Sequence, residues 1–201
     1  MRTLLVLIKH PAVGQVKTRL GASIGPECAA ALYRDWIGVI LARVQPLRGQ
    51  VRVVGFYDGA PLHQFREWEE LADEWWSQPA RSLGGRLQAG FERAFDKGAP
   101  VVAIGTDCLD VDSDLIQEAF ERLISHDVVF GPAFDGGYYL VGAARNLPDF
   151  FRGIPWSSGK TLAMHQAICD RNCWSVEMLP TLRDIDTWED WQAYCSERRA
   201  I

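Results

Sequence analysis

A loop that directly follows the first apolar run of the chain carries the residue types that bind a pyrophosphate. Residues 9–20 read KHPAVGQVKTRL, with Lys9, Lys17 and Arg19 as cations and Gly14 as a permissive backbone position. Cations and backbone N–H groups neutralise phosphate charge, and glycine lets the main chain approach closely. The P-loop spacing G-x-x-x-x-G-K-S/T is absent. A solvated basic loop is the alternative, but the position after the first strand favours phosphate binding.

A second motif, GTDCLD at residues 105–110, follows another apolar run. Asp107 stands two residues past that run, where a carboxylate emerges at the carboxyl edge of a sheet. Hard oxygen ligands at such a place suit Mg²⁺ or Mn²⁺, which bridges diphosphate oxygens. A carboxylate that only caps the next helix is the alternative. We assign the metal to Asp107 and a capping or supporting role to Asp110.

Two further polar segments contain aspartates. Residues 131–139 read GPAFDGGYY, in which Asp135 precedes two glycines, although Asp-Gly-Gly is also an ordinary hairpin signal. Residues 183–190 read RDIDTWED, in which Thr187 has the pattern of a helix N-cap with a downstream acid as its capping-box partner. The two aspartates just before that cap could complete a metal site.

The sharpest prediction is that Asp107 and Asp186 converge. Oxygen ligands lie at about 2.1 Å from Mg²⁺, so two carboxylates that share one ion should come within roughly 6 Å of each other. Two unpaired carboxylates at that distance would repel, which favours a metal role. Asp184 is the alternative partner if the loop is shifted by two residues.

The order of apolar runs predicts an α/β fold with a mainly parallel twisted sheet and helices on both faces. Continuous apolar runs typical of central parallel strands occur at residues 4–8, 51–56 and 101–105. Further strands are predicted at residues 128–131, 138–142 and 175–179. Helices are predicted at residues 26–44, 62–75, 83–95, 112–124, 157–169 and 187–199. One domain over residues 1–201 is the economical interpretation, with ligands bound beyond the carboxyl ends of the strands.

Composition excludes several classes of function. The chain has 201 residues and a formal net charge of −5, so it has no basic excess for binding nucleic acid. No apolar run approaches the roughly 18 residues of a membrane span. Five scattered cysteines without a C-x-x-C pair indicate neither a disulfide framework nor a structural zinc site. A reducing, cytoplasmic location is therefore expected.

Taken together, the polar segments resemble one family of proteins. The segments K-x-P-x-x-G-x-x-K-T-R-L, G-T-D-C, G-P-x-x-D-G-G-Y-Y-L, I-P-W-S and L-R-D-I-D-T look like the small bacterial glycosyltransferase-A-like proteins once grouped as a domain of unknown function. These proteins are often labelled nucleotide-diphospho-sugar transferases, and some are tied to arsenosugar biosynthesis. The resemblance spans about residues 4–191. It implies the nucleotide-diphospho-sugar transferase (glycosyltransferase-A) type of fold.

The resemblance also implies roles for individual residues. The nucleotide-binding residues it implies are Lys9, Gly14, Lys17, Arg19, Arg86 and Thr106. Asp107 matches a metal-binding aspartate, and Asp186 matches the second metal ligand. The chain departs from the family pattern at Ser82, where an aspartate is expected, and at Leu109, where a proline is expected.

The expected reaction is transfer from a nucleotide sugar to a small-molecule acceptor. Asp107 and Asp186 hold Mg²⁺ or Mn²⁺, while Lys17 and Arg19 offset charge on the leaving group. Asp135 orients or deprotonates the acceptor hydroxyl. A nucleotidylyltransferase that acts on a phosphorylated small molecule and releases pyrophosphate, and a non-catalytic nucleotide-binding module, are the alternatives. The paired aspartates argue against the module, and the lack of a G-x-G-x-R loop favours a sugar donor.

Overall fold

One seven-stranded mixed sheet organises the protein, and the computed structural model describes residues 1–156 and 158–199 of it. The strands are β1 (Arg2–Lys9), β2 (Val51–Asp58), β3 (Glu74–Ser77), β4 (Val101–Ile104), β5 (Val128–Pro132), β6 (Tyr138–Ala143) and β7 (Val176–Met178). Their spatial order is β3-β2-β1-β4-β6-β5-β7. All pairs are parallel except those that β6 makes with β4 and β5. The predicted α/β fold is confirmed, and the runs at 4–8, 51–56 and 101–105 are parallel neighbours.

Helices cover both faces of the sheet. They are α1 (Thr18–Ile24), α2 (Pro26–Arg43), α3 (Leu83–Phe95), α4 (Ser113–Arg122), α5 (Thr161–Arg171) and α6 (Trp188–Arg199). Because side chains alternate along a strand, Leu4 and Val6 belong to one hydrophobic cluster and Leu5 to another. Helices α2 and α4 pack on the first cluster, and α3 and α5 on the second. Burial of both faces explains why the central strands are continuously apolar.

Two segments differ from the sequence prediction. The helix predicted over residues 62–75 is a 3-10 helix at Leu62–Leu71 followed by strand β3. Trp76 on β3 is buried, and the ring of Trp75 lies over Gly55, which has no side chain to obstruct it. Aromatic residues pack well on a pleated surface, so packing overrides the helical pattern there. Helix α1, within the segment interpreted as a loop, was not predicted.

Side chains cap the starts of α4 and α6, and the cap of α6 is the one that the sequence predicts. Asp112 caps α4, because its side chain accepts a hydrogen bond from Leu115 N at 2.9 Å. Thr187 and Asp190 form the predicted capping box of α6: Asp190 N donates to Thr187 Oγ1 at 3.2 Å, and Thr187 N donates to Asp190 Oδ2 at 2.9 Å. Helix α5 begins later than predicted, at Thr161, and Ser157 lies outside the described residues.

The antiparallel strand β6 determines which loops share one edge of the sheet. Strands β1, β2, β4 and β5 all end at that edge, since β5 is antiparallel to β6 and therefore runs with β4. Strand β6 begins there, so the turn at residues 133–137 between β5 and β6 lies at the carboxyl edge. The polar segments after β1, β4 and β5 therefore lie along one edge, as the sequence predicts.

A histidine is buried in the second hydrophobic cluster. His165 is fully buried, and its ring packs at an angle against the rings of Phe130 and Phe150. Its Nδ1 lies 3.3 Å from the Tyr138 hydroxyl, and Nε2 has no hydrogen-bond partner in the described part of the chain. Burial disfavours the imidazolium form and lowers the pKa of His165 to about 4.

The buried histidine predicts a pH dependence of stability. The pKa is lower in the folded than in the unfolded state, so protons bind preferentially to the unfolded chain as pH falls below about 6.5. The free energy of unfolding should fall by about 1–2 kcal/mol more between pH 7 and pH 5 than in His165→Gln. Urea unfolding at both pH values measures this. The exposed His63→Gln control should keep the wild-type slope, and equal slopes in all three proteins would contradict the interpretation.

Candidate functional site

A cleft of about 400 Å³ opens at the carboxyl edge of the sheet. Lys9, Asp58 and Thr106 bring the ends of β1, β2 and β4 to its wall. Its acidic lining residues are Asp58, Asp107, Asp135 and Asp184, and its aromatic ones are Tyr33, Tyr138, Tyr139 and Trp156. A neighbouring groove, which includes Lys17, Arg19 and Asp186, meets this cleft at Asp107. The two concave surfaces therefore share the aspartate that follows β4.

The ammonium group of Lys17 bridges two of the predicted metal ligands. Its Nζ lies 3.0 Å from Asp107 Oδ1 and 2.8 Å from Asp186 Oδ1. Because both carboxylate oxygens contact the same nitrogen, the distance between them is within the roughly 6 Å that the sequence analysis predicts. The predicted convergence of Asp107 and Asp186 is confirmed. The repulsion from which the sequence analysis favours a metal role is offset here by a lysine.

The side chain of Lys17 is buried and its backbone conformation is constrained, unlike those of a typical solvated loop residue. Its side chain is 5% exposed, and its ammonium lies 5.7 Å from the centre of the Trp36 ring. Its backbone is left-handed, with φ 45° and ψ 45°, a conformation that costs free energy for a residue with a Cβ. Burial opposes its charge, but Asp107 and Asp186 outweigh burial and raise the pKa of Lys17 above its usual range. Lys17 is therefore packed into the structure rather than solvated in a loop.

Backbone pairing brings the segment before α6 to the Asp107 loop. Ile185 N donates a hydrogen bond to Asp107 O at 2.9 Å, and the Ile185 side chain is fully buried. Leu182 N donates to Pro132 O at 3.0 Å, which attaches the same segment to the end of β5. With Ile185 fixed inward, its neighbours Asp184 and Asp186 turn outward on either side. Asp184 lines the main cleft, whereas Asp186 lines the groove with Lys17.

Negative charge is concentrated where the two concave surfaces meet. Burial and the nearby carboxylates of Asp107 and Asp135 raise the pKa of Asp184 to about 7. Asp135 is exposed in the β5–β6 turn, where its Oδ1 accepts a hydrogen bond from Gly137 N at 2.7 Å. Asp135 therefore stabilises the β5–β6 turn and also lines the cleft. A cation in addition to Lys17 would relieve this crowding.

The residues predicted to bind phosphate differ in their exposure and in their contacts. Lys9 is exposed, and its Nζ donates to Gln15 O at 2.7 Å. Gly14 has φ +71° with nothing within 4 Å of a Cβ, so its backbone rather than a close contact requires glycine. Arg19 is 67% exposed, with Nη1 3.5 Å from Asp186 Oδ2. Lys9, Lys17 and Arg19 all line the groove beside Asp107.

The remaining predicted nucleotide-binding residues line the main cleft. Thr106 is buried and its hydroxyl donates to Tyr33 at 2.9 Å, so its hydroxyl is already engaged. Burial, with Asp107 nearby, raises the pKa of Tyr33 to about 12, which keeps its hydroxyl protonated. Arg86 forms an ion pair with Asp58, a residue that the sequence analysis did not select. The sequence feature that could have pointed to Asp58 is its position as a carboxylate just after the apolar run at residues 51–56.

The departures from the family pattern have local explanations. Ser82 caps α3, accepting a hydrogen bond from Gly85 N at 3.3 Å, and an aspartate could do the same. Leu109 is buried in the first hydrophobic cluster. Asp110 caps no helix, because Asp112 does so, and instead accepts a hydrogen bond from Arg198 at 2.7 Å.

The carboxylates at this edge can contribute two ligands to a divalent ion. Within residues 1–156 and 158–199, no group of three or more His, Cys, Asp or Glu side chains is arranged to hold a metal. Mg²⁺, however, is commonly held by one or two carboxylates, with phosphate and water completing its shell. The side chains of Asp107 and Asp186 are 42% and 39% exposed, which leaves oxygens open to solvent. The residues therefore fit an ion that arrives with a diphosphate.

Comparison with protein families identifies the chain. Residues 41–158 match the family described as uncharacterized protein conserved in bacteria (DUF2064). The chain belongs to this family. A comparison with curated proteins found no match. In the part of the chain that the structure describes, no helix combines the length and hydropathy needed to cross a bilayer.

Solved structures extend the comparison. A protein from Desulfovibrio desulfuricans assigned as a nucleotide-diphospho-sugar transferase is 32% identical, with a TM-score of 0.84 over 92% of this chain and 82% of that one. The 4-diphosphocytidyl-2C-methyl-D-erythritol synthase of Anaerococcus prevotii is 10% identical, with a TM-score of 0.64 over 98% of each chain. Glucosyl-3-phosphoglycerate synthase of Mycobacterium tuberculosis, solved with Mn²⁺ and UDP, is 11% identical, with a TM-score of 0.57 over 92% of this chain and 70% of that one. The last two show the shared fold. The fold neighbours thus include sugar transferases and nucleotidylyltransferases.

The position of Lys17 predicts a difference in stability between two neighbouring cations. Lys17→Ala leaves Asp107 and Asp186 facing each other and should lower the free energy of unfolding by roughly 1–3 kcal/mol, less than for fully buried partners because water screens the carboxylates. Arg19→Ala, at an exposed position, should change it by no more than about 0.5 kcal/mol. Urea unfolding at pH 7 compares the two. Equal stability of both variants would reduce the Lys17 bridge to a surface contact.

Proposed function

We propose that the protein is a metal-dependent transferase that uses a nucleotide-activated sugar as donor and a small molecule as acceptor. The observation that carries the proposal is the cluster of Asp107, Lys17 and Asp186 at the carboxyl edge, beside a cleft of about 400 Å³. That volume lies within the range of small-molecule sites. The relationship to the Desulfovibrio desulfuricans protein supports the choice of donor.

A divalent ion, Mg²⁺ or Mn²⁺, completes the proposed site. Asp107 and Asp186 would hold it, and when bound it would neutralise charge on the diphosphate leaving group. Their half-exposed carboxylates and the crowding around Asp184 support this assignment. Lys17 holds the two carboxylates together, so the ligands are in place before the ion binds.

The charge balance of the site favours a diphosphate over a triphosphate. Lys17 is paired with two carboxylates, and Arg86 is paired with Asp58. Arg19 and Lys9 remain as the exposed cations of the groove. A triphosphate brings more negative charge beside the carboxylates, so a diphosphate with one ion is the better match.

The proposed roles of the remaining site residues follow from their places in the groove and the cleft. Lys9 and Arg19 line the groove that would take the phosphate oxygens, with Gly14 in the same loop, and Lys17 and Arg19 would offset charge that develops on the leaving group. Asp135, exposed at the cleft side of the β5–β6 turn, accepts the proton of the acceptor hydroxyl. Arg86 and Thr106 form part of the nucleotide wall. The free state of all five cysteines supports a cytoplasmic location.

Ligand-induced stabilisation tests the proposed donor and metal. A ligand that binds only the folded state raises the melting temperature. Nucleotide sugars with Mn²⁺ should raise it in the wild type and in Asp110→Asn, a control whose partner is Arg198. Asp107→Asn should lose the Mn²⁺-dependent part of the shift. If no nucleotide sugar stabilises the wild type with or without Mn²⁺, the proposal fails.

Product analysis separates glycosyl from nucleotidyl transfer. With a nucleotide sugar and Mn²⁺, slow transfer to water releases a nucleoside diphosphate and the free sugar, and Asp135→Asn should slow this release about 10²-fold or more. Nucleotidyl transfer would instead release pyrophosphate from a triphosphate. Pyrophosphate release without diphosphate release would replace the proposal by a nucleotidylyltransferase.

A further inference from the structure

Three polar side chains form a second cluster in the main cleft, away from the acid pair. Asp58, the last residue of β2, forms an ion pair with Arg86 Nη1. The same nitrogen lies 3.3 Å from Gln78 Oε1, and Arg86 Nε donates to Arg81 O at 2.8 Å. Gln78 Nε2 donates to Phe56 O at 2.6 Å, which fixes the amide with its oxygen towards the cluster. The guanidinium is therefore held in place before any ligand binds.

Part of this cluster remains available to a ligand. The hydrogen bonds recorded among the described residues engage Oδ2 of Asp58 and the Nε and Nη1 atoms of Arg86, but not Oδ1 of Asp58 or Nη2 of Arg86. The side chains of Asp58 and Arg86 are 28% and 29% exposed, and both line the cleft. One carboxylate oxygen and one guanidinium N–H pair can therefore face the same ligand.

The sheet sets the distance between this cluster and the acid pair. Asp58 ends β2 and Asp107 follows β4, with β1 between them. Neighbouring strands are about 4.8 Å apart, so the two positions are separated by about 10 Å along the edge. An extended nucleoside diphosphate is long enough to cover that distance. If the diphosphate lies at Asp107, as the proposed function requires, the base lies beside Asp58, Gln78 and Arg86.

We propose that this cluster selects guanine, so that the donor is a guanosine-diphosphate sugar. The cluster offers two acceptors and one donor group. The acceptors are Oδ1 of Asp58 and the Gln78 amide oxygen, which accepts one hydrogen bond from Arg86 Nη1 and has a second lone pair, and the donor is Nη2 of Arg86. The Watson–Crick edge of guanine is the complement, with N1–H and the N2 amino group as donors and O6 as the acceptor. Leu83 and Leu87 line the same end of the cleft and supply apolar surface for a purine ring.

The other bases leave part of the cluster unmatched. Uracil offers one donor between two acceptors, so one of its oxygens faces an acceptor. Cytosine has the same excess of acceptors. Adenine pairs with one acceptor and one donor but lacks the second donor. A polar group left unpaired in a partly buried site costs affinity, and this cost separates guanine from the rest.

Calorimetric titration with Mn²⁺ tests the assignment on the whole protein. GDP should bind roughly 10- to 100-fold tighter than UDP, CDP or ADP. Inosine diphosphate keeps N1–H and O6 but lacks the N2 amino group, so it should bind more weakly than GDP and more tightly than UDP. This series needs no variant, so it does not depend on how a substitution folds.

A variant assigns the preference to Asp58. Asp58→Asn should weaken GDP binding about tenfold and leave UDP binding within about twofold of the wild type. Asp114→Asn, an exposed aspartate on α4, should keep the full preference. Equal binding of all diphosphates, or tighter binding of UDP, would overturn guanine selection while leaving the proposed transferase in place. Binding of no nucleotide would overturn both.

Discussion

The ammonium group of Lys17 is the contact on which the site depends, because it joins three distant parts of the chain. It links the loop after β1 to Asp107 after β4 and to Asp186 before α6. A buried cation is costly unless carboxylates surround it, and two carboxylates repel unless a cation separates them. Each partner therefore makes the position of the others favourable. The left-handed backbone at Lys17 is a cost that this contact offsets.

The sheet converts that contact into a cleft with distinct regions. Parallel strands β1, β2 and β4 deliver Lys9, Asp58 and Asp107 to one edge, and antiparallel β6 starts at the same edge. The β5–β6 turn thereby brings Asp135 to the wall of the same cleft. In the proposed function, the acid pair holds the diphosphate that joins the nucleoside to the sugar. Binding regions and charge are thus set by the order of the strands.

The sequence predicts the sheet centre well, and long-range contacts less well. Continuous apolar runs predict the central strands because both faces of the sheet are buried. Convergence of Asp107 and Asp186 is predictable because each follows or precedes an element that reaches the same edge. Edge strand β3 is not predictable from pattern, since Trp75 and Trp76 take their positions from packing on β2 and α3. The ion pairs of Lys17 could not be predicted from the sequence either, because its partners are remote along the chain and basic residues in loops are usually solvated.

Anomalous diffraction from a crystal grown with Mn²⁺ and a nucleoside diphosphate tests the central claim most directly. If the two carboxylates hold the ion, we expect one manganese peak at coordination distance from oxygens of Asp107 and Asp186, with a diphosphate oxygen in its shell and Lys17 still contacting a carboxylate. A nucleotide bound in the cleft with no manganese at the acid pair, or manganese bound elsewhere, would contradict it.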